Sequence, residues 1–307
     1  MNISDLIGEY EQSARIRGVG ETQLNALLPV RRGLGMYKPA QLTSERQRNY
    51  VAERRDGKHT RAHAKVCASN GTIRRELGAL AAVFSWAEGK RLIPQGSAPE
   101  LDLPAKPPGR KVYLTEPEAD DMWKHAEAWT RDNVGMFVMM ALDTWARTEA
   151  IETVPWNRVS LTPDRIDYRD PLRPETSKRR TVATISPRLR PVIEHRYRTR
   201  NPLSELVVGP VTYYAWRQFV QTTPYAERGL TRHDLRRTGI SLAFARGVDP
   251  MKICQMSGDD LDTLLEHYAV FAPDYLSDVF LSREQLHEKR LSSSLSALPS
   301  AGASPAM

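Results

Sequence analysis

Apolar residues recur at helical spacing over residues 72–92 (TIRRELGALAAVFSWAEGKRL), where Ile73, Leu77, Leu80, Phe84 and Ala87 fall on one face. The segments ISDLIGEYEQSARIR and SERQRNYVAERR also read as helices, so the first third of the chain is expected to be all-helical. Residues 96–112 (GSAPELDLPAKPPGRKV) hold four prolines and two glycines with little periodicity, and a helix cannot continue through them. Helical pattern returns at 116–130 and 133–146, the second so apolar (VGMFVMMALDTWA) that it must be buried. Three short runs follow, NRVSL, DRIDY and RTVATI, the first two separated by Thr162-Pro163-Asp164; they fit a small antiparallel sheet. Beyond them the pattern is helical nearly to the end. Gly247 is placed to close one helix, Asp249 and Pro250 to open the next, and Gly258 to close that one.

This pattern predicts two domains in a mainly α protein: a helical clamp at 1–95, a Pro-rich linker at 96–112, and a mixed, mainly helical domain with a small antiparallel sheet at 113–290. The last segment, 291–307, is small, polar and uncharged, and reads as a disordered tail. At 307 residues the chain exceeds the usual span of one core. No apolar run is long enough to cross a bilayer and the first residues lack signal-peptide regions, so a cytoplasmic protein is expected. Cys67 and Cys254 make neither a disulfide framework nor a metal cluster and read as small reduced core residues. His59 and His63 lie in a basic stretch without partners at metal-ligand spacing.

The net charge of +7 is unevenly placed. Residues 1–110 carry 18 Lys/Arg against 11 Asp/Glu, while the remaining 197 carry 26 of each. A positive domain joined to a neutral one suggests a polyanion clamp beside a domain with more specific work. Arg74, Arg75, Lys90 and Arg91 are the candidate phosphate contacts in the first domain, and Arg179 and Arg180 in the second.

Four segments together suggest chemistry: TWARTEAIETVPW at 144–156, TSKRRTVATIS at 176–186, HDLRRTGISLAFARGVDPMKICQMSG at 233–258, and LLEHYAVF around Tyr268. In order and spacing they resemble the tyrosine recombinase (phage integrase) family. The resemblance covers about residues 113–285, and more loosely the N-terminal part as a SAM-like core-binding domain, in a form without an arm-binding domain. It implies that Arg147 and Arg236 are the catalytic arginines, that Lys178 and His233 are catalytic, and that Tyr268 is the nucleophile. It further implies a reaction through a 3′-phosphotyrosine that needs no metal, nucleotide or redox cofactor. The implied partners are double-stranded DNA at specific sites, a homotetramer assembled on DNA from free monomers, and accessory bending or directionality factors. Segment 282–291 is the helix expected to dock on a neighbouring protomer.

The residue chemistry suits those roles. Attack on a phosphodiester loads negative charge onto phosphorus oxygens, which two permanently charged, forked guanidinium groups can hold. An amine with its pKa lowered by neighbouring cations, as Lys178 beside Arg179 and Arg180, can protonate the leaving 5′ oxygen. His233 can donate to the phosphate or take the tyrosine proton. Each residue also has a plainer role open to it. Arg147 can pair with Glu149 or Glu152, His233 can cap a helix, and Tyr268, in phase with Leu261, Leu264 and Leu265, can be core.

One position departs from the family. After Gly258, where histidine or tryptophan is usual, stands Asp259. A carboxylate at this catalytic position repels a phosphate, so either the site tolerates Asp259, turned away from the phosphate as a cap of the Tyr268 helix or a brace on an arginine, or the enzyme is impaired; His267, beside Tyr268, is a candidate donor in its place. The alternatives to a recombinase are a catalytically impaired DNA-binding protein that kept the fold, and a type IB topoisomerase-like relaxing enzyme.

Overall fold

The computed structural model describes residues 1–60, 66–172 and 179–268. Its chain divides into two compact units, Met1–Gly109 and a second beginning at Arg110. The expected tail at 291–307, the docking helix at 282–291, His63 and Lys178 all lie outside the described residues.

The first unit contains α1 (Ile3–Ile16), α2 (Glu21–Asn25), α3 (Leu27–Leu34), α4 (Ser44–Arg55) and α5 (Asn70–Gly89), with no strand among the described residues. Each long helix starts where its sequence supplies a side-chain acceptor: Asn2 for α1, Thr43 for α4 and Ser69 for α5. The expected stripe on α5 is buried, with Ile73, Leu77, Leu80, Phe84 and Ala87 at most 1% exposed, and it packs on Ile3, Leu6, Ile7 and Leu27. One buried ion pair sits in this core. Both oxygens of Glu76 accept from Arg54, at 2.6 and 2.9 Å, and Oε2 also accepts from the Tyr50 hydroxyl at 2.7 Å. His59 is held against Glu53 at 2.8 Å. Cys67 is exposed, so it is not the core residue its type suggested; Cys254 is half-buried.

The second unit opens with α6 (Glu116–Glu127) and α7 (Val134–Thr144), and every residue of α7 is buried. After α8 (Thr148–Thr153), strands β1 (Val159–Leu161), β2 (Asp164–Asp167) and β3 (Val182–Thr184) form an antiparallel sheet in sequence order, with Val159 opposite Ile166 and Ile166 opposite Ala183. The remaining helices are α9 (Leu189–Thr199), α10 (Tyr213–Gln221), α11 (Arg232–Ala245), α12 (Pro250–Ser257) and α13 (Leu261–Tyr268). α11 crosses the buried α7, and α12 and α13 fold back on α11 around a small apolar cluster of Ile240, Ala243, Phe244, Ile253, Leu264 and Tyr268. Punctuation falls where the sequence placed it. Asp249 Oδ1 accepts from the backbone N–H groups of Met251 and Lys252 at the start of α12, and Gly258, at φ +74°, ends it. Among the described residues, no helix is long and apolar enough to cross a membrane.

Candidate active site

Four local structures converge in the second unit. The first is the turn out of α7. Trp145 adopts a left-handed conformation at φ 54°, a costly one for a bulky residue, and the chain reverses so that Arg147 precedes the first turn of α8. The second is α11, whose first turn is fixed by Thr231: its N–H and hydroxyl both donate to Asp234 Oδ2 at 2.8 Å. Thr231 is therefore the cap, and His233 lies inside the helix, free of that role. The third is the Gly258 turn, where a Cβ would meet Arg179 O at 2.7 Å, leaving room for glycine alone. The fourth is α13, whose last described residue is Tyr268.

These elements bring Arg147, Arg236 and Asp259 into direct contact. Arg147 Nη2 donates to Asp259 Oδ1 at 2.7 Å, and Arg236 Nη2 donates to Asp259 Oδ2 at 2.5 Å. The other Nη of each arginine is anchored to backbone: Arg147 Nη1 donates to Arg179 O, and Arg236 Nη1 to Trp145 O and, at 3.0 Å, to Ser257 O. One carboxylate thus bridges two guanidinium groups. Of the roles open to Asp259, the brace on an arginine is the one the geometry contains, extended to both arginines. The reason is energetic. The Arg236 side chain is only 3% exposed, and a guanidinium so withdrawn from water needs a counter-charge. The surface pairings open to Arg147 are taken elsewhere, because Glu149 lies 3.6 Å from Arg180 and Glu152 pairs with Arg232 at 2.6 Å.

The electrostatics extend the cluster to two further side chains. The proton affinity of Arg147 is lowered by burial first and by Arg236 second, while Asp259 opposes both. His233 is exposed, yet its pKa is pushed below the ordinary 6.5, first by loss of hydration and then by Arg236 and Arg237, so the ring is neutral at pH 7. Tyr268 is 5% exposed, with its ring stacked on Phe244 at 6.2 Å and 7°. Burial raises its pKa; Arg237 and then Arg236 pull it down, and Asp259 pushes it up. The tyrosine is packed into the cluster of α11–α13 rather than standing out from it, and Leu261, expected on the same packed face, is 38% exposed.

Compared with solved structures, the chain superposes on the Tn1549 transposon integrase, in complex with transposon right end DNA, at a TM-score of 0.67 and 12% identity. The match covers 95% of this chain and 99% of that one. The lambda integrase dimer bound to a COC′ core site matches at TM-score 0.63 and 14% identity over 88% of this chain and 77% of that one. The lambda integrase tetramer bound to a Holliday junction matches at the same TM-score and identity over 85% and 78%. The chain has the fold of the tyrosine recombinases. No family model matches its sequence, and no curated protein matches it.

Within this recombinase fold, the other candidates divide by unit. Arg75, Lys90 and Arg91 are exposed in the first, whereas the Arg74 guanidinium donates to the carbonyl of Pro104. In the second, Arg179 is exposed and contributes its carbonyl to Arg147, and Arg180 lies against Thr153 and Glu149. Among the described residues no group of His, Cys, Asp and Glu could hold a metal ion. Sequence reasoning missed Arg237 and the backbone acceptors at Trp145, Arg179 and Ser257. Arg237 was visible only as the second arginine of Leu-Arg-Arg-Thr, with nothing to mark it from its neighbour.

Proposed function

We propose that this protein is a site-specific DNA recombinase of the integrase type, cleaving and rejoining DNA through a 3′-phosphotyrosine at Tyr268. The observation that carries the reading is the convergence of Arg147 Nη2 and Arg236 Nη2 on the two oxygens of a single carboxylate. Two guanidinium groups that grip one oxyanion can grip the nonbridging oxygens of a phosphodiester, and charge accumulates on those oxygens in the transition state.

In the proposed reaction the Tyr268 hydroxyl attacks phosphorus and its proton passes to neutral His233. The bond from phosphorus to the 5′ oxygen breaks, and that oxygen takes a proton from Lys178, which is assigned on the sequence resemblance. Rejoining reverses each transfer, and the phosphodiester energy is kept in the phosphotyrosine. Double-stranded DNA is the proposed substrate; a tetramer on paired sites, with strand exchange, extends to this chain what the lambda integrase structure is solved as. A cytoplasmic location follows from that substrate.

The second reading is a DNA-binding protein that kept the fold but lost catalysis, and Asp259 favours it by filling the clamp with a negative charge. A nicked suicide substrate decides between them. The wild-type chain is expected to remain on the DNA in denaturing gels, and Tyr268→Phe to bind DNA without forming that adduct. Absence of any adduct with the wild type, at DNA concentrations that saturate binding, supports the second reading.

A further inference from the structure

Arg237 differs from the two arginines beside it. Arg147 and Arg236 spend their donors on Asp259 and on backbone carbonyls, whereas the Nε of Arg237 is buried and has no hydrogen-bond partner among the described residues. A buried guanidinium nitrogen without a partner gives up hydration that no described residue returns. The position of Arg237 on α11 indicates what offsets that cost. Arg237, Ser241 and Phe244 fall at i, i+4 and i+7, one face of the helix, and Phe244 carries the Tyr268 ring stacked upon it. Ser241 Oγ on the same face is also buried without a partner, so this stripe between α11 and α13 is short of polar contacts.

Charge balance points the same way. The clamp arginines share one carboxylate and keep one net positive charge between them, which a bound phosphodiester consumes. A phenolate forming at Tyr268 then needs a further cation. We propose that Arg237 is a third guanidinium of the site, acting through Tyr268 by stabilising its phenolate both as attacking and as leaving group. The proposal rests on the assignment of Tyr268 as nucleophile. As the hydroxyl proton leaves for His233 and the bond from Tyr268 Oη to phosphorus forms, Arg237 offsets the charge that Oη carries before the bond is complete. When that bond breaks in rejoining, the electron pair returns to Oη beside the same cation. Among the described residues, the groups around Tyr268 are Arg236 and Arg237 from α11, Asp259 from the turn after α12, His267 on its own helix, and Cys254 from α12 against the same apolar cluster. Of the charged ones, Arg237 exerts the largest pull on the hydroxyl.

The test reads the tyrosine itself, without DNA. With 3-fluorotyrosine incorporated at position 268, ¹⁹F NMR follows its titration in the full chain. Arg237→Gln is expected to raise the midpoint by about one pH unit or more, and Arg237→Lys, which keeps the charge, to leave it near wild type. Arg237→Met, which keeps the packing of the stem, gives the same reading should the glutamine variant unfold. On a suicide substrate Arg237→Gln is expected to slow adduct formation about tenfold at neutral pH, the rate equivalent of one pH unit, and Arg237→Lys to stay near wild type. An unchanged fluorotyrosine midpoint, or an adduct rate in Arg237→Gln equal to wild type, overturns the proposal. Failure of the wild type to form an adduct would sink the reading of Tyr268 as nucleophile, whereas the NMR titration tests the influence of Arg237 on the hydroxyl independently of any adduct.

Discussion

A carboxylate held between two guanidinium groups leaves a phosphate clamp with a competitor already in place. Unit charges about 4 Å apart at an effective dielectric near 20 repel by roughly 4 kcal/mol, so Asp259 opposes the phosphate that Arg147 and Arg236 would receive. Each arginine retains its backbone anchor without Asp259, through Arg179 O for one and Trp145 O with Ser257 O for the other. Asp259→Asn, which keeps the shape and removes the charge, is therefore expected to speed single-turnover cleavage about tenfold, as about a third of that repulsion acting in the transition state would give. A fall of more than tenfold, with thermal stability and DNA binding unchanged, would show that the carboxylate is needed to aim the arginines. The sequence singled out Arg147, His233, Arg236 and Tyr268 through the resemblance of their segments to the recombinase family, and the fold brings Arg147 and Arg236 onto one carboxylate. That Asp259 serves both arginines at once was not legible, because the need of buried Arg236 for a counter-charge shows only when its neighbours are in place. Arg237 was hidden for a related reason, since a side chain marked by lacking a partner shows only when its neighbours are in place.

At the scale of elements, the geometry of the candidate site depends on how closely α11 crosses the end of α7. A Cβ on Gly239 would lie 2.3 Å from Trp145 Cδ1 and 2.6 Å from Leu142 O, closer than atoms can approach. Trp145 in turn supplies the carbonyl that holds Arg236. Gly239→Ala is expected to destabilise the second unit by about 1–3 kcal/mol and to slow cleavage as well, because the displaced turn carries the Arg236 anchor with it. A urea midpoint equal to wild type would show that the crossing can relax at no cost. Long helices with side-chain caps were readable from periodicity alone, as were the strand runs either side of Thr162-Pro163. The pair α2 and α3 escaped, since two short helices flanked by Gly20 and Gly35 and containing Pro29 present the punctuation of a loop; burial of Leu24, Leu27, Val30 and Leu34 against the first core makes them helical.

For the whole molecule, the excess of positive charge in residues 1–110 leads to the prediction that the first unit supplies most of the proposed sequence-independent affinity for DNA. Among its candidates Arg75, Lys90 and Arg91 are exposed, while Arg74 is engaged with Pro104. Replacing those three by glutamine is expected to flatten log affinity against log salt by about 0.9 for each phosphate no longer neutralised, and replacing Arg74 to change it less. An unchanged slope in the triple variant would place the phosphate contacts on other side chains. If Tyr268 is the nucleophile it becomes joined to DNA, which mass spectrometry of the trapped wild-type complex reads after nuclease and protease digestion. A nucleotide linked through its 3′ phosphate to the peptide containing Tyr268 is expected; a nucleotide on any other residue, or a free 3′ phosphate with an unmodified Tyr268 peptide, would rule that role out.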